Sequence, residues 1–414
     1  MSTALSGIRI IDLTMGWAGP LATRHLADLG ADVIKVESCE RFDWWRSWEA
    51  TPEWIADDGA EKSSQFNMVN RNKRGITLDL EHPEGRRLLL ELIAAANAVV
   101  ENYSGGVLPK LGLGYEVFRE AKADIILLSM PAFGSTGPWS AFRAYGSTVE
   151  QSSGLPHLHG HADDPPTMLH VAYGDAVGGI HGAAALLTAL FHQRRTGQGQ
   201  HVDLSQVEAM LPLAAHGILH YAATGEPPPR RANRSETCAP HGVYPCAANE
   251  GEPDEWLVLQ VETEAQWCAL AGLVPGLQDY ADLRDRLARV EALDEVIAAW
   301  TRPQQAHALM SRLQRLGIPA AATHAASTLL RDPHLSARGF WQWRERAVVG
   351  NQPNPSPPYR TGADPVPVRT PAPTMGQHNR EVLAGILGLT DDALGELEAA
   401  GIIGTRPRMP SRKA

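Results

Sequence analysis

GIRIIDLTMGWAGPLATRHLADLGADVIKVE, residues 7–37, decides the fold. Its first and last parts are short apolar runs rich in isoleucine and valine, which read as buried strands. Between them lie a loop, a helix and a turn. Strand, helix and strand within about 30 residues make a βαβ unit, whose strands run parallel and whose crossover is right-handed. The first turn carries GWAGP where a dinucleotide-binding unit would carry Gly-x-Gly-x-x-Gly, so a dinucleotide site of the usual kind is not expected. Glu37 ends the second strand, where such an enzyme would hold a ribose, and that single acid is weak support.

The pattern repeats. RGITLDL reads as a strand, HPEGRRLLLELIAAAN as an amphipathic helix opened by Pro83, and AVVEN as the next strand; ADIILLSMPAFG gives another strand entering a glycine loop. Ligands of open α/β sheets lie beyond the carboxyl ends of the strands. The turns at Asp79, at Asn102 and Tyr103, and at SMPAFGSTGP are therefore expected to line one cleft. After YAATGEPPPRRANRS, with three successive prolines and a group of arginines, the composition changes. The expected fold class is α/β, a large Rossmann-like domain with a parallel sheet plus a smaller α+β domain. The large domain is expected over residues 1–220 plus 331–414, with a returning C-terminal segment, and the linker and small domain over 221–330.

The 414 residues are 43% apolar and 20% charged, the profile of a folded soluble chain, and the net charge of −10 argues against a general nucleic-acid binder. The N-terminus lacks the features of a signal peptide, and no apolar run reaches the roughly 18 to 20 residues of a membrane span. A cytoplasmic protein without a membrane partner is expected. Cys39, Cys238, Cys246 and Cys268 have neither zinc nor disulfide spacing and read as free thiols. His157, His159 and His161, in HLHGH, sit between Pro156 and ADDPP and read as a polar loop, so no metal site is expected.

WAGPLATRHLADLGADVIKVE, NRNKRGITLDL, VVENYSGGVLPKLGLGYE, AFGSTGPW, YGDAVGGIHGAAALLTALFHQRRTGQGQHVDLS, GIPAAATHAASTLLRDPHLSARGFW and MGQHNREVL follow one another along nearly the whole chain. Together, in this order, they resemble the class III CoA-transferase family, which includes formyl-CoA:oxalate and carnitine CoA-transferases and the related α-methylacyl-CoA racemases. The resemblance implies a two-domain chain that interlocks with an identical partner. It also implies coenzyme A or acyl-CoA as substrate rather than as a tightly bound cofactor, with a small carboxylic acid as the second substrate. In similar proteins CoA lies along positions matching Trp17 and Ala18, Leu78, Asp79 and Leu80, Asn102 and Tyr103, and Lys110. Lys110 stands where arginine is usual, which keeps the charge and loses the two-pronged phosphate contact.

The aspartate matching Asp175 would attack the donor thioester to give an acyl-aspartyl anhydride, then an aspartyl-CoA thioester that the acceptor acid opens. On the residues alone Asp175 reads equally as the cap of the helix that follows, and a helix N-terminus would favour its ionised form. Gly178 and Gly179 read either as oxyanion donors or as helix-packing positions. The racemase branch uses a histidine where Tyr145 stands, followed by an acid where Gly146 stands, so a transferase is expected over an epimerase. Glu150 is either a substitute acid or an ordinary surface glutamate. Arg41 and Arg46, in ERFDWWRSWE, replace a glycine-rich stretch, and the Trp-rich segment 42–54 is open between substrate binding and interface. The segment Phe42 to Gln65 and the loop Leu155 to Met168 are expected to shape the acid pocket. A non-catalytic CoA-binding homologue is the remaining alternative.

Overall fold

A computed structural model of the chain describes residues 3–168, 171–248, 255–360 and 362–409. The chain divides into two compact units: Met1–Pro156, Thr167–Pro227 and Arg338–Ala414 form the first, His157–Pro166 and Pro228–Ala337 the second.

In the first unit the order is β1 (Arg9–Asp12), α1 (Ala18–Asp28), β2 (Asp32–Glu37), β3 (Arg74–Thr77), α2 (Pro83–Ala94), β4 (Ala98–Glu101), β5 (Ile126–Ser129), α3 (Gly146–Ser152), α4 (Tyr173–Thr196) and β6 (His201–Asp203). The six strands pair in parallel in the order β3-β2-β1-β4-β5-β6. Both faces are covered, so successive side chains enter opposite cores. Ile10 packs with Leu26 of α1 and Leu186 of α4, whereas Ile11 and Leu13 pack with Leu88, Leu92 and Ile93 of α2. The chain moves outward from β1 to β3 and then returns to place β4 on the other side of β1. That reversal opens a crevice between the loops that follow β1 and β4.

α4 owes its place to small residues. Gly174, Gly178, Gly182, Leu186 and Leu190 recur every fourth position and are buried, as are Gly179 and Ala183. A Cβ on Gly179 would lie 2.8 Å from the Ala18 carbonyl oxygen, and one on Gly182 would lie 2.7 Å from Cε of Met130. The helix axis therefore sits closer to α1 and β5 than any larger residue would permit. This 24-residue helix is long and apolar enough to cross a membrane by length and composition. The expectation that no segment reaches that length is corrected, because many alanines and glycines raise the mean hydropathy without forming a conspicuous leucine run.

In the second unit β7 (His241–Pro245), β8 (Trp256–Gln260) and β9 (Ala320–Ala322) form an antiparallel sheet, and α5 (Glu264–Ala271), α6 (Val290–Thr301) and α7 (Ala306–Arg315) fold with it. Leu257, Leu259, Trp267, Leu270, Leu293, Ile297 and Leu313 make its core.

The chain then re-enters the first unit through the hairpin β10 (Trp341–Arg346) and β11 (Gly350–Pro355), followed by α8 (Asn379–Leu387) and α9 (Asp391–Ala399). This segment covers the edge strand β3. Thr77 N–H donates to Asn379 Oδ1 at 2.8 Å, His378 N–H to the Gly75 carbonyl at 2.9 Å, and Gly75 N–H to His378 Nδ1 at 3.0 Å. Pairing these groups removes the exposed edge that would otherwise invite another strand.

Candidate active site

The loop after β1 is fixed from three sides by buried polar groups. Asp12 accepts from the Thr14 amide and from the hydroxyls of Thr14 and Thr23, and it pairs with Lys73 at 2.9 Å. Burial pushes the Lys73 ammonium down to about 8, against the pull of Asp12. Lys35 donates to the Thr14 carbonyl at 2.7 Å and pairs with Asp43 at 2.9 Å. Asp43 in turn accepts the Gly16 and Trp45 amides. Asn102, at the end of β4, holds Met15 by both backbone groups, each at 2.8 Å. The crevice is thus bridged at its mouth, and the first amides of α1 are held in place.

Asp175 is the third residue of α4, whose cap position is Ala172, so the reading of Asp175 as the cap of its own helix is corrected. The backbone N–H groups of Ala18 and Gly146, the first residues of α1 and α3, lie close enough to its carboxylate to favour the charged form. Neither of those helices has a side-chain cap of its own. The carboxylate therefore sits where two helix starts from different parts of the chain converge. Burial pushes the Asp175 carboxyl up to about 6, more than the two donors pull it down. The expected shift toward ionisation is reversed in sign, yet the group is still mostly ionised at pH 7.

Gly146, read from sequence as a lost acid, has a positive reason to be glycine. A Cβ there would lie 2.0 Å from Asp175 Oδ2 and 2.9 Å from the Ala172 Cβ. Gly178 and Gly179 are packing positions: Gly178 faces the Gln206 side chain and Gly179 faces Ala18 and Leu21. Glu150, one turn beyond Gly146, is fully buried, which corrects its reading as a surface residue.

The tryptophan-rich segment joins this centre. Trp44 and Trp48 stack at 4.4 Å between ring centroids, and the Tyr145 ring meets both edge-on at 5.6 and 5.5 Å. Trp17, the residue before Ala18, packs on Trp45 at 5.6 Å. Gly16 makes room for Trp44, since a Cβ at residue 16 would lie 2.2 Å from its ring.

The other sequence candidates fall into different settings. Leu78 is wholly in the core and its amide donates to the Glu37 carbonyl; the Asp79 amide donates to the Ile402 carbonyl. What this stretch still offers a ligand is the Asp79 carboxylate and the partly buried Leu80. Tyr103 lines a cavity of about 360 Å³ with Glu101, Ser129, Tyr115 and His201. Burial there pushes the Glu101 carboxyl up to about 7, although the Ser129 hydroxyl and the Tyr103 amide pull the other way. Lys110 is exposed at the end of the one-turn helix Val107–Lys110 that borders this cavity. The four cysteines are free thiols, and among the described residues no cluster of three His, Cys, Asp or Glu side chains is placed to hold a metal.

A parallel sheet with its crevice at the reversal of strand order, and a carboxylate where the starts of α1 and α3 converge, define an α/β protein with a candidate site at the carboxyl end of its sheet. A model of CoA-transferase family III matches residues 5–379. The succinyl-CoA–D-citramalate CoA-transferase of Chloroflexus aurantiacus is 33% identical over 404 residues, covering 96% of this chain and 98% of that protein. The succinate–glutarate CoA-transferase of Agrobacterium fabrum is 32% identical over 385 residues, covering 92% and 95%. Among solved structures, a CAIB/BAIF family protein from Brucella suis superposes with a TM-score of 0.81 at 30% identity, covering 93% of this chain and 100% of that one. The chain belongs to CoA-transferase family III and is a CoA-transferase, with CoA thioesters as substrates.

Proposed function

We propose that CoA passes from an acyl-CoA donor to a carboxylic acid through covalent intermediates on Asp175. The observation that carries this is the carboxylate itself, set against Gly146, where an added Cβ would lie 2.0 Å from its Oδ2, with the amides that open α1 and α3 favouring its charge. One Asp175 oxygen attacks the thioester carbonyl and the C–S bond breaks, leaving an acyl-aspartyl anhydride and CoA thiolate. The thiolate attacks the Asp175 carbonyl carbon and expels the donor acid as carboxylate, leaving an aspartyl-CoA thioester. The acceptor carboxylate attacks that thioester, CoA leaves as thiolate, and its return to the acceptor's acyl carbon frees Asp175. No net proton transfer is needed.

The amides of Ala18 and Gly146 serve the two steps at the Asp175 carbonyl itself, attack by CoA thiolate on the anhydride and attack by the acceptor on the thioester, because there the Asp175 oxygen beside them becomes an oxyanion, where fixed donors lower a barrier most. In the first and last steps the oxyanion forms on the acyl oxygen of the donor or acceptor. Asn102, Tyr103 and Lys110 would flank the CoA chain, while Trp17 and Ala18 would stand beside the thioester and Asp79 and Leu80 would border the entry. Hydroxylamine added with acyl-CoA should convert Asp175 to a hydroxamate detectable by mass spectrometry. Full transfer activity in Asp175→Ala would end the reading.

The working assembly is proposed to be an interlocked dimer of identical chains. Ile180 and Phe191 of α4, and Leu219 and Tyr221 further on, are each more than half exposed in the single chain. Apolar surface of this kind calls for a cover. Native mass spectrometry of the full chain should show two copies, and a monomer at micromolar concentration would refute it.

A further inference from the structure

We propose that Lys73 is a positioning residue for CoA transfer: with Asp12 it fixes the first turn of α1, and with that turn the Ala18 amide that faces Asp175. This rests on Asp175 as the acyl carrier. Ala18, Gly19 and Pro20 open α1, and the preceding Trp17 gives the helix no side-chain cap. A turn that presents its first amides to a carboxylate has to be held from elsewhere. The Lys73 ammonium does this from the residue before β3. It donates to the Pro20 carbonyl at 3.0 Å, to Asp12 Oδ2 at 2.9 Å and to Asn70 Oδ1 at 2.8 Å, so all three of its N–H groups meet fixed acceptors. Asp12 Oδ2 also accepts the Thr23 hydroxyl, three residues farther along α1, at 2.7 Å.

The chain before Ala18 is anchored by a second pair. Lys35 holds the Thr14 carbonyl and Asp43 the Gly16 amide, and the two side chains pair with each other. Ala18 lies between these two anchors, and Lys73 with Asp12 is the one that reaches its own helix. All four side chains are buried, so solvent does not stand in for a lost partner. The charged groups that face Lys73 are Asp12 of β1, Lys35 of β2 and Asp43 beyond it. Burial, aided by Lys35, lowers the ammonium to about 8 against the pull of Asp12 and Asp43. As the pH rises through about 8 the anchor loses its cation, and the first turn of α1 is released from Asp12. Because the Ala18 amide serves the steps at the Asp175 carbonyl, its displacement acts on turnover rather than on donor binding.

The test uses the full-length protein with charges removed in pairs, since Lys73→Met alone strands a buried carboxylate. Lys73→Met with Asp12→Asn is compared with Arg71→Met with Asp28→Asn, which neutralises an equally buried ion pair at the far end of the same helix. Transfer from succinyl-CoA to glutarate is followed between about pH 7 and 9, and amide hydrogen exchange of the peptide from Thr14 to Thr23 is read by mass spectrometry at neutral pH. The Lys73 pair variant should lower kcat about 10- to 100-fold with the donor KM within about three-fold, and should speed exchange in that peptide. The Arg71 pair variant should keep both near wild type. Wild-type kcat should fall as the pH passes about 8, and the Lys73 pair variant should lack that fall. Wild-type turnover or unchanged exchange in the Lys73 pair variant, or equal losses in both pairs, would overturn the assignment while leaving Asp175 labelled by hydroxylamine. Absence of that label in the wild type would instead remove the aspartyl reading, and hydrogen exchange would still decide whether Lys73 holds the turn.

Discussion

Gly146→Ala tests the geometry of the centre with one added methyl group. The new Cβ would lie 2.0 Å from Asp175 Oδ2, about 1 Å inside the 3.0 Å that real Cβ contacts respect. Little can yield. The Ala172 Cβ closes the other side at 2.9 Å, and Ala172 is itself tied to the start of α4 by the Asp175 amide. The accessible relief is rotation of the Asp175 side chain, which carries the proposed nucleophile about 1 Å away from the Ala18 and Gly146 amides. A displacement of that size costs on the order of 100-fold in rate, equivalent to about 2.7 kcal/mol of barrier. The backbone adds no penalty, because Gly146 is not among the glycines with positive φ. Crowding should cost about 1 to 3 kcal/mol of stability, which a thermal melt measures separately. We expect kcat for CoA transfer, read by mass spectrometry of both acyl-CoA species, to fall about 100-fold, with the donor KM changed less than about three-fold. Gly385→Ala, in α8 with nothing within 4 Å of its added Cβ, is the matched control. It should keep full activity and gain about 0.5 to 1 kcal/mol. If Gly146→Ala keeps its kcat within a few-fold and forms the hydroxamate at the wild-type rate, the contact with Asp175 is refuted.

Two further outcomes follow from buried charge. Asp175, pushed up to about 6 by burial, should give a rate that rises with pH through about 6, provided donor and acceptor have no ionisation in that range. The stability sign is opposite: the folded chain binds the proton more tightly than the unfolded one, so stability falls between pH 4 and 6 and stays low above. Asp175→Asn should therefore lose transfer yet unfold at equal or higher temperature at pH 8, by about 1 to 3 kcal/mol; a large loss of stability at pH 8 would contradict this. Glu61 accepts from Arg46, Arg346 and the Met375 amide, joining the tryptophan-rich segment to the returning C-terminal chain. Glu61→Gln leaves two buried guanidinium groups short of charge and should cost about 3 to 5 kcal/mol by denaturant unfolding. Glu84→Gln, which breaks an exposed pair with Arg87, should cost about 0.5 kcal/mol or less, and equal losses would refute the distinction.

The ordering of strands and helices was legible because local signals dominate it. Apolar runs of β-branched residues bounded by amphipathic helices leave few topologies once crossovers must be right-handed. β1 through β5 lie where IRIID, DVIKVE, RGIT, AVVE and IILLS place them. Asp175 stood out as a candidate through its motif and neighbours. The amides that face it did not. The amides of Ala18 and Gly146 lie 157 and 29 residues away along the chain, and an amide has no letter in a sequence. Gly146 therefore looked like a loss, and Glu150 was left open between a substitute acid and a surface residue, although both are buried.

The sequence by itself determined the α/β class and the family, because these rest on hydrophobic periodicity and on motifs that follow one another in order along nearly the whole chain. Only the tertiary structure decided which helix starts meet at Asp175, why residue 146 has no side chain, and that Trp44, Trp48 and Tyr145 pack on one another. Those facts arise where α1, α3 and α4 converge, and the closeness of that convergence is set by absent side chains rather than by present ones.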